Sequence, residues 1–149
     1  MEKFGNFKVA AMIFAAGLGT RLYPLTKDKP KALVEINGQP LLQTVLEKII
    51  AAGITDIVVN VHHFSQLVKD YLASHSFEAN IRISDETDFL LDTGGGLKFA
   101  EQLLKNADHI LLHNVDIFSS IDLNRLIVNH IENRALATLA VKERSTSRY

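Results

Sequence analysis

Residues 15–31 contain the side chains whose types and spacing could do chemistry in this chain. An apolar segment, Val9–Phe14, leads into a loop of small residues that ends in Thr20 and Arg21, and a Pro30-Lys31 pair follows. Small residues let backbone N–H groups approach a ligand closely. An arginine just after them supplies a planar fork of donors that suits phosphate. This combination predicts a cradle for a nucleoside triphosphate.

The glycine spacing in this loop excludes two common phosphate-binding motifs. A dinucleotide fingerprint needs a third glycine where Leu22 stands, and a P-loop needs a Gly-Lys-Ser/Thr sequence that is absent. The alternative for Gly17 and Gly19 is an ordinary strand-to-helix turn, and the alternative for Arg21 and Lys31 is a solvated surface charge. Their occurrence together in one short segment favours phosphate binding.

Two further motifs carry candidate ligand contacts. Thr93-Gly94-Gly95-Gly96 stands before a predicted helix. Each interior glycine destabilises a helix by about 0.5–1 kcal/mol relative to alanine. A flat ligand lying against the backbone would explain why glycines are present despite this cost. The alternative is a flexible loop. Asp92 can cap the helix or pair with a ligand hydroxyl. Asp116 either forms a local turn or binds Mg²⁺, which takes one or two carboxylates plus substrate phosphates.

Other polar residues near these motifs receive no chemical role. We expect Asp85, Glu86 and Asp88 to form a solvated loop face. His62 and His63 could act as ligands or acid–base groups, and we interpret them as loop residues that lie near the site.

Apolar runs alternate with amphipathic stretches along the chain, and their periodicity predicts the elements that position these motifs. The predicted strands are Val9–Phe14, Asp56–Val61, Ile81–Ile83, His109–His113 and Ala135–Val141. The predicted helices are Pro40–Ala52, stopped by Gly53, and three others on the apolar stripes Phe64–Leu72, Leu97–Leu104 and Leu123–Ile131, the last capped by Asp122. The alternation predicts a three-layer α/β/α fold, a doubly wound, Rossmann-like and mostly parallel sheet.

The candidate ligand residues follow successive strands of this predicted sheet. The Gly17–Arg21 loop follows the first strand, residues 60–63 end the second, residues 84–96 follow the third and residues 113–116 end the fourth. Ligands of parallel sheets bind outside the carboxyl ends of the strands, near a topological switch point. The convergence of polar and glycine residues at this edge predicts a ligand site there.

Composition narrows the classes of protein and partner. The chain has 149 residues, of which 47% are hydrophobic and 22% charged, which is enough for one domain with a core. Sixteen basic and seventeen acidic residues give a net charge of −1, which favours neither nucleic acid nor an anionic membrane as a partner. Without cysteine there is no disulfide framework or cysteine-based zinc site. The polar start and the short apolar runs predict a cytoplasmic protein.

The loop residues also carry a family resemblance. The segment Ala15–Thr26, Ala-Ala-Gly-x-Gly-Thr-Arg-Leu-x-Pro-Leu-Thr, followed by Pro-Lys-x-Leu at Pro30–Leu33, resembles the fingerprint of sugar-1-phosphate nucleotidylyltransferases. Gln39–Leu42 is similar to the next segment of that family, and the likeness continues through Asp116. Within the family, Leu90–Leu97 is most similar to N-acetylmuramate-1-phosphate uridylyltransferases.

The resemblance implies a fold of the nucleotide-diphospho-sugar transferase type and a reaction. A nucleotidyl group would pass from a nucleoside triphosphate, UTP favoured, to a sugar 1-phosphate, N-acetylmuramate 1-phosphate favoured, with Mg²⁺ as cofactor and pyrophosphate as product. Arg21 would bind the β- and γ-phosphates, Lys31 the α-phosphate and the incoming sugar phosphate, and Asp116 the Mg²⁺. The nucleotide-binding residues implied by the match are Ala15, Ala16, Gly17, Gly19, Thr20, Asn60, Thr93, Gly94 and Gly95.

Two departures from the family pattern accompany this match. Val115 stands where the family usually has glycine before the metal-binding aspartate, and family members run well past 149 residues. We therefore expect residues 1–149 to be the N-terminal, nucleotide-binding domain of a longer chain, inactive by itself if the rest completes the site. The alternatives are another base, another acceptor such as phosphocholine, or a non-catalytic sensor of nucleotide sugars on the same fold. The sequence does not fix the oligomeric state.

Overall fold

The computed structural model describes residues 4–89 and 91–143, and the chain divides into two compact units, Met1–Ser119 and Ser120–Tyr149. In chain order the helices and strands are β1 (Val9–Phe14), β2 (Glu35–Ile36), β3 (Gln39–Pro40), α1 (Leu41–Ala51), β4 (Asp56–Val61), α2 (Ser65–Ser74), β5 (Asn80–Asp85), α3 (Asp92–Phe99), α4 (Glu101–Leu104), β6 (His109–Asn114) and α5 (Leu123–Glu132). Two short 3₁₀ turns, Thr20–Leu22 and Lys31–Leu33, lie between β1 and β2. Within the described residues, no helix has the length and apolar character needed to cross a membrane.

The main sheet of the first unit is parallel and has the order β5-β4-β1-β6. The chain adds β4 and β5 on one side of β1 and then returns to place β6 on the other side, so the switch point lies between β1 and β6. The register sets Phe14 beside both Asn60 and Asn114. The segments that leave the carboxyl ends of these three strands therefore start at the same edge. The prediction of a mostly parallel sheet with flanking helices is confirmed.

The two central strands, β1 and β4, are buried on both faces of the sheet, which explains the apolar runs Ala10–Phe14 and Ile57–Val59. On one face Ala10, Met12 and Val58 pack with Ala100 and Leu104 from the α3–α4 region. The alternate residues face the other side, and they are fully buried as well: Ala11, Ile13, Ile57 and Val59. Of the apolar stripe that the sequence predicts for helix α1, Ile50 is half-buried and the other residues are buried, namely Leu41, Leu42, Val45, Leu46 and Ile49.

The glycine run is placed differently from the prediction. Helix α3 begins at Asp92, so Thr93 to Gly96 lie inside the helix rather than in a loop before it. Glycine has a weak helical propensity, but packing overrides it here because Gly96 is buried. Asp92 has a left-handed backbone (φ 54°) and caps nothing, since the residue in the cap position is Leu91.

The second unit contains α5, and its predicted cap is confirmed. The Asp122 side chain accepts a hydrogen bond from the backbone N–H of Arg125 at 3.0 Å. The predicted fifth strand, Ala135–Val141, is wrong, because the structure has no strand over these residues. The large apolar side chains of this segment, Leu136, Leu139 and Val141, are exposed. An apolar run becomes a strand only where a neighbouring strand pairs with it.

Candidate functional site

The loop after β1 is built on Thr26 and Lys31. Gly19 has a left-handed backbone (φ 67°), and its carbonyl accepts a hydrogen bond from Thr26 Oγ1 at 2.9 Å. A Cβ at Gly19 would lie 2.9 Å from side-chain carbons of both Thr26 and Lys31, and a Cβ at Gly17 would lie 3.2 Å from Lys31 Nζ. The two glycines therefore let this loop fold closely over the lysine.

Asn60, near the end of β4, forms hydrogen bonds with the start of the same loop. Its Oδ1 accepts hydrogen bonds from the backbone N–H groups of Ala15 at 2.7 Å and Ala16 at 3.2 Å. Its Nδ2 donates to Glu86 Oε1 at 2.8 Å. Asn60 is only 2% exposed. The N–H groups of Ala15 and Ala16 are thus occupied within the protein, so a ligand would have to contact other atoms of these residues.

Glu86 is the site residue that sequence reasoning missed. The prediction of a solvated carboxylate is wrong, because Glu86 is 2% exposed, whereas Asp85 and Asp88 are exposed as predicted. Its Oε1 accepts from Asn60, and its Oε2 is buried with no hydrogen-bond partner in the described parts of the chain. The only sequence signal is indirect: the Gly96 position has no side chain, and a Cβ there would lie 2.7 Å from Glu86 Oε1.

The neighbours of Glu86 differ in whether they contact it. His62 Nδ1 lies 2.6 Å from the Glu86 carbonyl, so this histidine is a structural neighbour of the site as expected. His63 is exposed, and its ring lies 4.1 Å from the ring of Phe64. Asp85 binds Lys69 Nζ at 2.5 Å, and hydrogen bonds from Lys69 and Thr87 lower the pKa of Asp85 to about 2.

Lys31 and Asp116 meet at the switch point of the sheet. Lys31 Nζ lies 3.1 Å from Asp116 Oδ2, with the lysine side chain 16% and the aspartate side chain 39% exposed. Asp116 follows the fully buried Val115, whose N–H donates to the Phe14 carbonyl at 3.2 Å and so extends the β1–β6 ladder. The valine that departs from the family pattern therefore fills the core and still delivers the aspartate to the edge.

Arg21 and Thr20 lie in the 3₁₀ turn that follows the glycine loop, and both are exposed. Among the described residues Arg21 forms no ion pair, so its guanidinium donors face no protein carboxylate. The structure brings Lys31 and Asp116 into direct contact and packs Gly17 and Gly19 against Lys31. It records no contact of Arg21 with Lys31 or Asp116.

The three glycines of α3 differ in what the fold requires of them. A Cβ at Gly96 would meet Glu86 Oε1 at 2.7 Å and Asn60 Nδ2 at 3.0 Å, so the fold excludes a side chain there. A Cβ at Gly95 would lie 3.0 Å from Leu91 Cβ, which is tight. A Cβ at Gly94 would meet no atom of the described residues within 4 Å, and Thr93 beside it is exposed. Packing within the protein therefore does not explain Gly94.

Asp116 is the candidate ligand for Mg²⁺ at this edge of the sheet. The parts of the chain that are described contain no cluster of three or more histidine, aspartate or glutamate side chains that could form an all-protein metal cage. Asp116 offers one carboxylate that is 39% exposed. Mg²⁺ commonly binds through one or two carboxylates together with substrate phosphates. A single, partly exposed aspartate beside the glycine loop fits that kind of site.

His113 on β6 is a buried histidine close to the same edge. It is 9% exposed, and its Nδ1 lies 2.7 Å from the Asn114 carbonyl. Burial lowers its pKa below the usual 6.5, with a smaller contribution from the positive charge of Lys48. This side chain is therefore neutral at physiological pH, and we assign it no role in ligand binding.

Comparison with known proteins agrees with this geometry. The profile of the family described as Nucleotidyl transferase matches residues 10–149, so the chain belongs to the nucleotidyl transferase family. It is 45% identical over 109 residues to N-acetylmuramate alpha-1-phosphate uridylyltransferase of Caulobacter vibrioides, which covers 71% of this chain and 45% of that protein. It is 36% identical over 142 residues to mannose-1-phosphate guanyltransferase of Gibberella zeae, covering 93% of this chain and 39% of that protein.

A solved structure shows the same relationship. The CTP:phosphocholine cytidylyltransferase of Streptococcus pneumoniae matches with a TM-score of 0.62 and 32% sequence identity, covering 80% of this chain and 50% of that one. The chain thus spans about half the length, or less, of these relatives.

Proposed function

We propose that this chain is the nucleotide-binding part of a sugar-1-phosphate nucleotidyltransferase. The observation that supports this most strongly is the contact of Lys31 with Asp116 beneath the glycine loop. It places a cation suited to phosphate and a carboxylate suited to Mg²⁺ within 3.1 Å of each other at the ligand edge of the sheet. Family membership and the names of the uridylyltransferase and guanyltransferase relatives support a sugar 1-phosphate as acceptor, and the cytidylyltransferase supports nucleotidyl transfer in general.

The reaction would be a single in-line displacement. A phosphate oxygen of the sugar 1-phosphate forms a bond to the α-phosphorus of the nucleotide, the bond between that phosphorus and the bridging oxygen to the β-phosphate breaks, and pyrophosphate leaves with the electron pair. The attacking phosphate is already anionic, so no covalent protein nucleophile is required. Catalysis then consists of positioning the reactants and neutralising their charge.

Each basic residue has a separate task in this mechanism. Arg21 is exposed and forms no ion pair within the described residues, so its fork of donors can bind the β- and γ-phosphates that leave. Lys31 lies under the loop and would neutralise the α-phosphate and the incoming sugar phosphate. Bound at Asp116, Mg²⁺ would supply further charge neutralisation to the phosphates.

The favoured substrates are UTP and N-acetylmuramate 1-phosphate, with a role in the recycling of cell-wall sugars inside the cytoplasm. This choice is supported by the segment around the α3 glycines and by the bacterial uridylyltransferase that is 45% identical over 109 residues. The alternatives are GTP with a mannose or heptose 1-phosphate, or CTP with phosphocholine, because relatives with such names also match.

A panel of acceptors with detection of pyrophosphate tests the proposal. Each nucleoside triphosphate is combined with each sugar 1-phosphate and with phosphocholine, in the presence of Mg²⁺, for the wild type and for Arg21→Ala. We expect release of pyrophosphate with one pair and a large loss of turnover in the variant. Equal turnover in both would contradict the role of Arg21. Binding of a nucleotide without pyrophosphate release from any acceptor would indicate either a sensor or a chain that needs the remaining length of its relatives to complete the acceptor site.

A further inference from the structure

We propose that Glu86 is a positioning residue that acts through Asn60 to hold the Ala15–Gly19 loop in the conformation that receives the nucleotide. The consequence for nucleotide binding rests on the proposed function. The mechanical part of the proposal rests on three hydrogen bonds among buried groups and on the close packing of Gly96 against them, and it can be tested without any ligand.

Glu86 determines the orientation of the Asn60 side chain. A side-chain amide has an oxygen that accepts hydrogen bonds and an NH₂ group that donates them. The Glu86 carboxylate accepts, so the Asn60 Nδ2 group must point toward Glu86 Oε1, at 2.8 Å. This leaves Asn60 Oδ1 facing the loop, where it accepts from the N–H groups of Ala15 and Ala16 at 2.7 and 3.2 Å. Glu86 thereby selects the one orientation of Asn60 that binds the loop.

These hydrogen bonds are shielded from water. Asn60 and Glu86 are each 2% exposed, and Ala15 and Ala16 are 4% and 6% exposed. Water cannot readily replace a lost partner at such positions, so a broken contact leaves a buried polar group unsatisfied. The loop therefore depends on this pair of side chains more than an exposed loop would.

Helix α3 packs against the same hydrogen bond through Gly96. Gly96 lies so close that a Cβ would be 2.7 Å from Glu86 Oε1 and 3.0 Å from Asn60 Nδ2. One buried contact thus joins the loop after β1, the end of β4 and the glycine helix. Each of these segments carries residues that the sequence assigns to nucleotide binding. Glu86 would set the position of the loop relative to the glycine helix.

Reversal of the Asn60–Glu86 hydrogen bond provides the test. In Asn60→Asp, two carboxylates face each other, which is unfavourable. In the double variant Asn60→Asp/Glu86→Gln, the introduced amide can donate to the introduced carboxylate, whose other oxygen can still accept from the loop. Amide hydrogen exchange of Ala15 and Ala16, measured by NMR in the ligand-free protein, reports on the loop, and Ile13 and Val59 in the sheet serve as reference amides.

We expect Asn60→Asp to raise the exchange of the Ala15 and Ala16 amides by at least about tenfold relative to the reference amides, and the double variant to return it to near the wild-type rate. Unchanged exchange in Asn60→Asp, or no rescue in the double variant, would overturn the proposal. If Asn60→Asp does not fold, Glu86→Leu against Glu86→Gln makes the same comparison. Protection should be lost with leucine and kept with glutamine, and equal protection in both would overturn the proposal.

The dissociation constants of Mg²⁺–nucleoside triphosphates for the same proteins test the functional part. The dissociation constant for the triphosphate that the wild type binds should rise in Asn60→Asp and recover in the double variant, in parallel with exchange. An affinity that stays constant while exchange changes would overturn the positioning role. If the wild type binds no nucleotide, the proposed function fails, but the ligand-free exchange data still decide whether Glu86 holds the loop.

Discussion

Lys31 Nζ lies 3.1 Å from Asp116 Oδ2, although the two residues are 85 positions apart in the chain. The contact links the segment that follows the glycine loop to the end of β6, across the switch point of the sheet. Each member neutralises the other when no phosphate or metal is bound. In the proposed reaction the lysine would bind phosphate and the aspartate would bind Mg²⁺, so the pair holds both groups ready at one place.

We predict that Lys31→Ala affects nucleotide binding far more than stability. The ion pair is partly exposed, and such pairs stabilise proteins by only about 0–1 kcal/mol. A charged contact with phosphate is worth about 1.5–3 kcal/mol, which corresponds to roughly a tenfold to hundredfold rise in the dissociation constant. Calorimetric titration with a Mg²⁺–nucleoside triphosphate and urea unfolding measure the two effects.

Lys27→Ala is the matched control for this variant, because Lys27 is an exposed lysine in the same segment. It should leave the dissociation constant nearly unchanged. Equal losses of affinity in the two variants would show that only general positive charge matters, which contradicts a specific role for Lys31.

We predict opposite effects on stability for alanine at two glycines of α3. Gly96→Ala forces a Cβ to within 2.7 Å of Glu86 Oε1 and should destabilise the protein by about 1–3 kcal/mol. Gly94→Ala places its Cβ in open space and should stabilise it by up to about 1 kcal/mol, since alanine is the better helix former. Urea unfolding midpoints decide this. An unchanged midpoint in Gly96→Ala would argue against the packing described for Gly96, and a loss of stability in Gly94→Ala would argue against the open space at Gly94.

We further predict that Gly94→Ala weakens nucleotide binding while the protein stays at least as stable as the wild type. The fold leaves the position open, so a methyl group there would collide with a ligand and not with the protein. A rise of about tenfold in the dissociation constant is expected, because a displaced ligand loses contacts worth about 1.4 kcal/mol. Unaltered affinity would indicate that the nucleotide does not border Gly94.

We predict that the free energy of unfolding decreases as the pH is lowered, because His113 becomes protonated. Burial lowers the pKa of this side chain below 6.5, its value in the unfolded chain, so the unfolded state binds the proton first as pH falls. The resulting stabilisation is complete above pH 6.5 and is lost as the pH drops toward the lowered pKa of the folded state. Urea unfolding of wild type and His113→Asn at several pH values measures this loss.

The pH dependence should be flatter in His113→Asn than in the wild type. His63→Asn is the control, because His63 is an exposed histidine near the same edge. It should keep the wild-type slope. A wild-type slope in His113→Asn would show that other groups cause the loss of stability.

The elements with strong local signals could be predicted from the sequence. The bounds of β1 and β4 match the prediction because each is an apolar run that ends in polar or small residues. The cap at Asp122 was predictable because capping depends on residues three positions apart. Lys31 and Asp116 could be placed at one edge because the carboxyl ends of parallel strands meet there.

Features that depend on distant partners could not be predicted. The buried carboxylate of Glu86 accepts a hydrogen bond from Asn60, which lies 26 residues earlier in the chain. No local sequence pattern distinguishes Glu86 from the exposed Asp85. The glycines of α3 have a loop-like composition, but tertiary packing of Gly96 places them in a helix. The segment Ala135–Val141 has the composition of a strand, which forms only where another strand pairs with it.

Thermal unfolding of this chain with each nucleoside triphosphate and Mg²⁺ tests whether it binds a nucleotide through Mg²⁺ at Asp116. A ligand at a hundredfold excess over its dissociation constant adds about 2.7 kcal/mol to the stability of the folded state. We predict a rise in the melting temperature with one triphosphate, UTP being favoured, and loss of that rise in Asp116→Ala. No rise with any triphosphate, or the same rise in Asp116→Ala, would contradict it.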